Sequence, residues 1–237
     1  MLPREIKENS RNTMTNPQKF VKIMGGMIEG GNNVIFAYNK EYVSDTLMVI
    51  TENDKGLAQT VSRVDNVAQI KNEEDTIVGW NFFAISEIMT IEGRGQVELT
   101  DAQVAQLNER IAAAGFAEKL AVDHTPKIVV GYVQTCEEHP DSDHLSLTQI
   151  DVGNDEVLQI VCGAANIRKG LKVVVAKPGA MMPDGLLIWP GTLRGVESFG
   201  MVCSAKELAL TDAPLKKGIL ELPQDAVVGS AFPTGKA

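Results

Sequence analysis

Leu193-Arg194-Gly195-Val196-Glu197-Ser198-Phe199-Gly200-Met201-Val202-Cys203-Ser204 is the stretch on which the fold of this chain turns. Glycine beside a cation, then glycine among small polar and apolar residues, suits tight turns and a closely approached backbone. Two segments precede it: Ile160-Val161-Cys162-Gly163-Ala164-Ala165-Asn166, and earlier His139-Pro140-Asp141-Ser142-Asp143. Around them lie β-rich runs at 128–135, 145–152, 157–162, 172–176, 186–189 and 218–222. Gly153-Asn154-Asp155 reads as a hairpin turn between the second and third. Short strands at close spacing predict a small closed barrel. Residues 204–208 predict one helical turn, with Ser204 as cap and Glu207 three on.

Pro126 marks a change of pattern, and residues 34–126 read as a small α+β domain. Val34-Ile35-Phe36-Ala37-Tyr38 and Thr46-Leu47-Met48-Val49-Ile50 are β-rich. Thr60-Val61-Ser62-Arg63-Val64 alternates, as a half-buried strand should. The run 76–85 is apolar on both faces, which predicts a buried strand. Trp80 and Phe82-Phe83 within it read as core rather than as a platform for stacked bases. Thr100-Asp101-Ala102-Gln103 opens a helix with a capping-box pattern. Val104, Leu107 and Ile111 follow at helical spacing, and Gly115 is its expected stop.

Residues 1–33 are polar and Met- and Asn-rich, without a sustained period. Two readings stay open. One is a flexible tail. The other is a translated leader, because Glu29-Gly30-Gly31 can be encoded by a purine-rich ribosome-binding sequence at a suitable distance before Val34.

The chain has 237 residues and a net charge of −9. Residues 1–33 carry 5 basic and 3 acidic side chains, residues 34–126 carry 7 and 15, and residues 127–237 carry 10 and 13. A nucleic-acid binder with this balance must use a local basic patch, and its affinity should fall with salt. No apolar run approaches the roughly 20 residues of a membrane-spanning helix. The N-terminal residues lack the apolar stretch of a signal peptide. Cys136, Cys162 and Cys203 are an odd, widely spaced set, which predicts reduced thiols and a cytoplasmic protein.

His139-Pro140-Asp141-Ser142-Asp143-His144 offers zinc-ligand residue types. Adjacent residues rarely aim at one ion, so a turn is expected instead: Pro140 fixes φ, and Asp141 and Asp143 bond N–H groups two residues on. Cys162, closing an apolar strand, reads as a core thiol rather than a nucleophile. No catalytic centre, metal or cofactor is therefore expected. The cations Arg168, Lys169, Lys172, Lys177, Arg194 and Lys206 could border a phosphate-tracking groove. Arg194 is the best placed, with Ser198, Gly200 and Ser204 as neutral donors and Met201 to cover a base.

Residues 127–232 resemble the tRNA-binding domain of phenylalanyl-tRNA synthetase β-subunits, many methionyl-tRNA synthetases and free-standing tRNA-binding proteins. The likeness rests on the 139–143, 160–166 and 193–204 segments and on Lys177-Pro178-Gly179-Ala180. With the acidic domain in front, residues 34–237 look like the YtpR family. The resemblance implies an all-β OB-fold barrel after the α+β domain, and non-catalytic recognition of tRNA shape, possible assistance to a synthetase in trans included. Carried over by position, it implies an RNA-facing surface of Asn166, Lys177, Arg194, Ser198, Met201 and Ser204. His144 and Ala165 depart from the pattern, the first by replacing a fixed cation. Expected partners are tRNA, an aminoacyl-tRNA synthetase and a second copy of the chain. The rival expectation is a homodimeric, chaperone-like polypeptide binder using the same barrel.

Overall fold

Apolar runs separated by polar turns build two antiparallel sheets that share no strand. The computed structural model describes residues 34–213 and 217–235. The tail and leader readings of 1–33 lie outside the described residues. The described chain is mostly β with few helices.

The first sheet uses β1 (Ile35–Tyr38), β2 (Thr46–Ile50), β3 (Gln59–Val64), β4 (Val67–Asn72), β5 (Ile77–Phe83) and β6 (Gly95–Val97), in the order β3-β4-β5-β2-β1-β6. A short helix, α1 (Lys40–Val43), joins β1 to β2. The long helix α2 (Asp101–Ala113) starts where the capping box predicts. The Gln103 N–H donates to Thr100 Oγ1 at 3.3 Å, and the Thr100 N–H donates to Gln103 Oε1 at 2.9 Å. Such a box satisfies donors that a helix start leaves orphaned. Val104, Leu107 and Ile111 are buried in one cluster with Leu47, Trp80 and Phe82. The helix ends in a Schellman pattern: the Phe116 N–H returns to Ile111 O at 3.1 Å and the Gly115 N–H to Ala112 O at 3.0 Å. That reversal sets Phe116 edge-on to Trp80, with ring centroids 5.2 Å apart. Trp80 is 2% exposed and belongs to the core.

The sequence reading misjudges β3. It lies at the edge of the sheet and all six of its residues are exposed. Alternation reports a strand's two faces, but only a neighbouring layer can cover one of them. Strands β4 and β6 were not foreseen. In β4 the buried Gln69 and Asn72 break the apolar pattern. The Gln69 amide bonds Glu118 at 3.0 Å, so hydrogen bonding compensates for its burial.

The second sheet contains β7 (Ile128–His139), β8 (Ser142–Asp151), β9 (Val157–Cys162) and β10 (Lys172–Ala176). After a separate hairpin of β11 (Gly191–Leu193) and β12 (Val196–Ser198), β13 (Met201–Val202) joins it, and β14 (Glu221–Leu222) also pairs with β10. The order is β13-β10-β7-β8-β9. Both faces of β10 are buried. Val173 and Val175 join a core with Val133, Ile150 and Ile160, whereas Val174 and Ala176 join Met182, Ile188, Cys203 and Leu208. The period of two along a strand makes this division.

The strand ladder does not close into the expected ring. Its open edge, β9, is met instead by the segment before β13: the Phe199 N–H donates to Gln159 O at 2.8 Å, and the Val161 N–H donates to Ser198 Oγ at 3.1 Å. Residues 186–189 form no strand; Met181 and Leu187 make one isolated bridge. The strand expected at 218–222 shrinks to β14. The turn at Ser204 keeps its predicted cap, the Glu207 N–H donating to Ser204 Oγ at 3.2 Å. Among the described residues, no helix is long and apolar enough to cross a membrane.

Candidate functional site

His139 ends β7 and is 4% exposed. Its Nδ1 accepts the Asp141 N–H at 3.0 Å. The proton of the neutral ring therefore sits on Nε2, which donates to Leu193 O at 3.2 Å. This corrects the expectation that Asp141 and Asp143 organise the turn through N–H groups two residues on. His139 supplies the first bond, and Ser142 Oγ accepts the His144 N–H at 3.3 Å. Arg194 Nη1 donates to Asp141 O at 3.1 Å. The first motif thus grips the tip of the β11–β12 hairpin. That tip is a two-residue turn with positive φ at both Arg194 (45°) and Gly195 (80°).

His139→Ala removes both ring bonds at a buried site. It is expected to cost about 1–3 kcal/mol and to free the hairpin tip. A lower urea midpoint with an unchanged slope would bear this out; an unchanged midpoint would show that the ring bonds add no net stability.

The other sequence candidates are placed as follows. Asn166 bonds the chain at Ile219 in both directions: its Nδ2 donates to Ile219 O and its Oδ1 accepts the Ile219 N–H, each at 3.0 Å. Ser198 is buried and supplies the bridge to β9. Lys177 forms an ion pair with Glu156. Ser204 caps its turn, its Oγ donating to Glu207 at 2.7 Å. Met201 is half-buried and Arg194 is exposed. Ser198, Met201 and Ser204 line one groove of about 690 Å3, together with Trp189, Lys206 and Lys217. Asn166, Lys177 and Arg194 are outside that lining.

Trp189 and Lys217 line the groove without being candidates from sequence. Trp189 was read as the end of a strand, and Lys217 belongs to no motif. The basic residues named from sequence also divide. Arg168 is bidentate to Glu221 at 3.0 and 2.8 Å, and Lys172 donates to Ala226 O. Lys169, Arg194 and Lys206, and Lys217 besides, have no carboxylate partner among the described residues.

Burial pushes the Cys162 thiol up, and pushes that of Cys203 up to about 12. A buried thiol that resists ionisation is a poor nucleophile. All three cysteines are free. Among the described residues, no group of three His, Cys, Asp or Glu side chains is placed to hold a metal ion.

Two family models match the chain. Residues 54–123 match a "Domain of unknown function (DUF4479)", and residues 128–231 match a "Putative tRNA binding domain". The chain is 48% identical over 199 residues to the "Putative tRNA-binding protein YtpR" of Bacillus subtilis (strain 168), covering 82% of this chain and 97% of that one. It is 56% identical over 102 residues to the phenylalanine–tRNA ligase β-subunit of Oceanobacillus iheyensis, covering 41% of this chain but only 12% of the ligase subunit. Among solved structures, a MetRS related protein from Pyrococcus horikoshii aligns with a TM-score of 0.34 at 25% identity, covering 44% of this chain and 87% of that one.

Proposed function

The chain belongs to the family of the Bacillus subtilis protein YtpR, and on that premise we propose that it binds tRNA without catalysing a reaction on it. One observation carries this reading. The tRNA-binding match spans 128–231, the same residues that build the second sheet, the gripped hairpin and the groove.

The proposal extends to architecture. The domain assigned to 127–237 is of the OB-fold type, with an open strand ladder whose free edge at β9 is bridged by Ser198 and Phe199. Residues 34–126 form a separate acidic α+β domain that docks a second copy of the chain or an aminoacyl-tRNA synthetase in the cytoplasm. The two family matches, falling on either side of Pro126, support that boundary.

The six candidate residues take different parts. Arg194 at the exposed hairpin tip and Met201 in the groove face the RNA. Asn166 and Ser198 hold the frame that presents them. Lys177 and Ser204 reach RNA only by leaving Glu156 and Glu207. Few cations remain for phosphate, so affinity is modest and falls with salt only as steeply as that small number of phosphate contacts allows.

The test is a titration of the full chain against bulk tRNA and a same-length unstructured RNA at several salt concentrations. Tighter binding of folded tRNA with a negative salt slope is expected. Arg194→Ala should weaken tRNA binding by about 1–2 kcal/mol, the range for one charge-assisted contact. Equal binding by mutant and parent across the salt series would remove Arg194 from the surface. The polypeptide-binding alternative has no support in the relatives or in the described residues. It would regain ground if the chain bound no RNA at low salt.

A further inference from the structure

We infer that the groove beside β13 receives one unpaired nucleotide of the bound RNA, its base against Trp189 and Met201 and its phosphates at Lys206 and Lys217. This rests on the tRNA-binding reading and adds to it a single-stranded element that shape recognition does not require.

The two tryptophans are placed differently. Trp80 is 2% exposed in the first core, whereas Trp189 is half-buried on the groove wall. Its backbone is fixed by the residue before it. Ile188 is buried, its N–H donates to Ala180 O at 2.9 Å, and its O accepts the Gly179 N–H at 2.8 Å. The chain is thus anchored next to Trp189 before any ligand arrives, which limits the backbone share of the ordering cost of binding. Leu193 and Met201 extend the apolar surface. At about 690 Å3 the groove falls within the range of small-ligand sites. An aromatic face takes an unstacked base; bases paired in a helix keep their faces against one another.

Charge points the same way. Lys206 and Lys217 line the groove and pair with no carboxylate among the described residues. The carboxylate in the lining, Glu207, has its Oε2 held by the Ser204 N–H and Oγ, each at 2.7 Å. Two ammonium groups beside an indole and a thioether suit a nucleotide, with phosphate at one end and a flat apolar face at the other.

The experiment follows indole fluorescence of the full chain during titration with bulk tRNA and with a short unstructured oligoribonucleotide. Both RNAs should quench Trp189. Trp189→Ala should weaken tRNA binding about ten-fold, in line with the value of one base–aromatic stack, and Trp189→Phe should retain most of the affinity. Lys206→Ala should lower the salt slope by about 0.7, the share of one phosphate contact on a single strand. If tRNA binds with unchanged fluorescence, and Trp189→Ala melts and binds like the parent, the inference is overturned while the tRNA reading stands. If the parent binds no tRNA at low salt, the tRNA reading fails and the inference with it.

Discussion

Gly200→Ala lowers the stability of the second sheet by about 3 kcal/mol and removes most tRNA binding. Gly200 has φ of +138°, and an added Cβ would sit 2.7 Å from the carbonyl oxygen of Ala176. That oxygen belongs to β10 backbone, beside the pairing of Ala176 with Met201, so it cannot swing aside as a side chain would. Backbone strain at such a φ costs about 1–3 kcal/mol, and the forced separation of β13 from β10 adds to it. For a domain of this size the melting point should drop by roughly 15 °C. Because Gly200 lies between Ser198 and Met201, the same shift disturbs the bridge to β9 and the groove. Calorimetry with a tRNA titration reads both effects. A variant that melts and binds like the parent would show that β13 moves freely against β10.

Trp80→Ala should cost about 3–5 kcal/mol, the range for removing a large buried aromatic, and leave tRNA affinity within about two-fold. Trp80 packs with Leu47, Phe82 and Leu107 and meets Phe116 edge-on. All of these residues precede Pro126, so the proposed domain boundary predicts an early melting step confined to the first sheet. The variant also leaves Trp189 as the sole indole of a chain that has two tryptophans. A single transition, shifted as a whole and accompanied by lost binding, would mean that the two sheets fold as one unit and that the boundary at Pro126 is structural in name only.

The contrast between these two residues shows what the sequence made legible. Trp80 lay in an apolar run and is core; α2 starts at its capping box; β9 and β10 occupy the runs read as strands. These features are local and periodic. Strands β11, β12 and β13 are two or three residues long, too short for any period to declare them. In the candidate site, Asn166 and Ser198 were read as groups facing RNA. Their polar atoms are met by partners 53 and 37 residues away, a separation no local pattern reports. Burial of His139 is hidden for the same reason, since the carbonyl it reaches belongs to Leu193. Residues named for a ligand in sequence can thus also have partners within the frame, and only long-range geometry reveals those partners.

The turn at Arg194 carries a consequence for directed evolution. A two-residue hairpin turn with positive φ at both positions is best served by Asn-Gly, and a long side chain held at φ of 45° sits there under strain. Selection for heat resistance alone would therefore favour Asn at this position wherever the relieved strain outweighs the lost bond from the guanidinium to Asp141 O, and the exposed cation would go with it. Libraries screened only for robustness would discard the cation on which the proposed tRNA contact rests, so any such campaign needs a binding screen run in parallel.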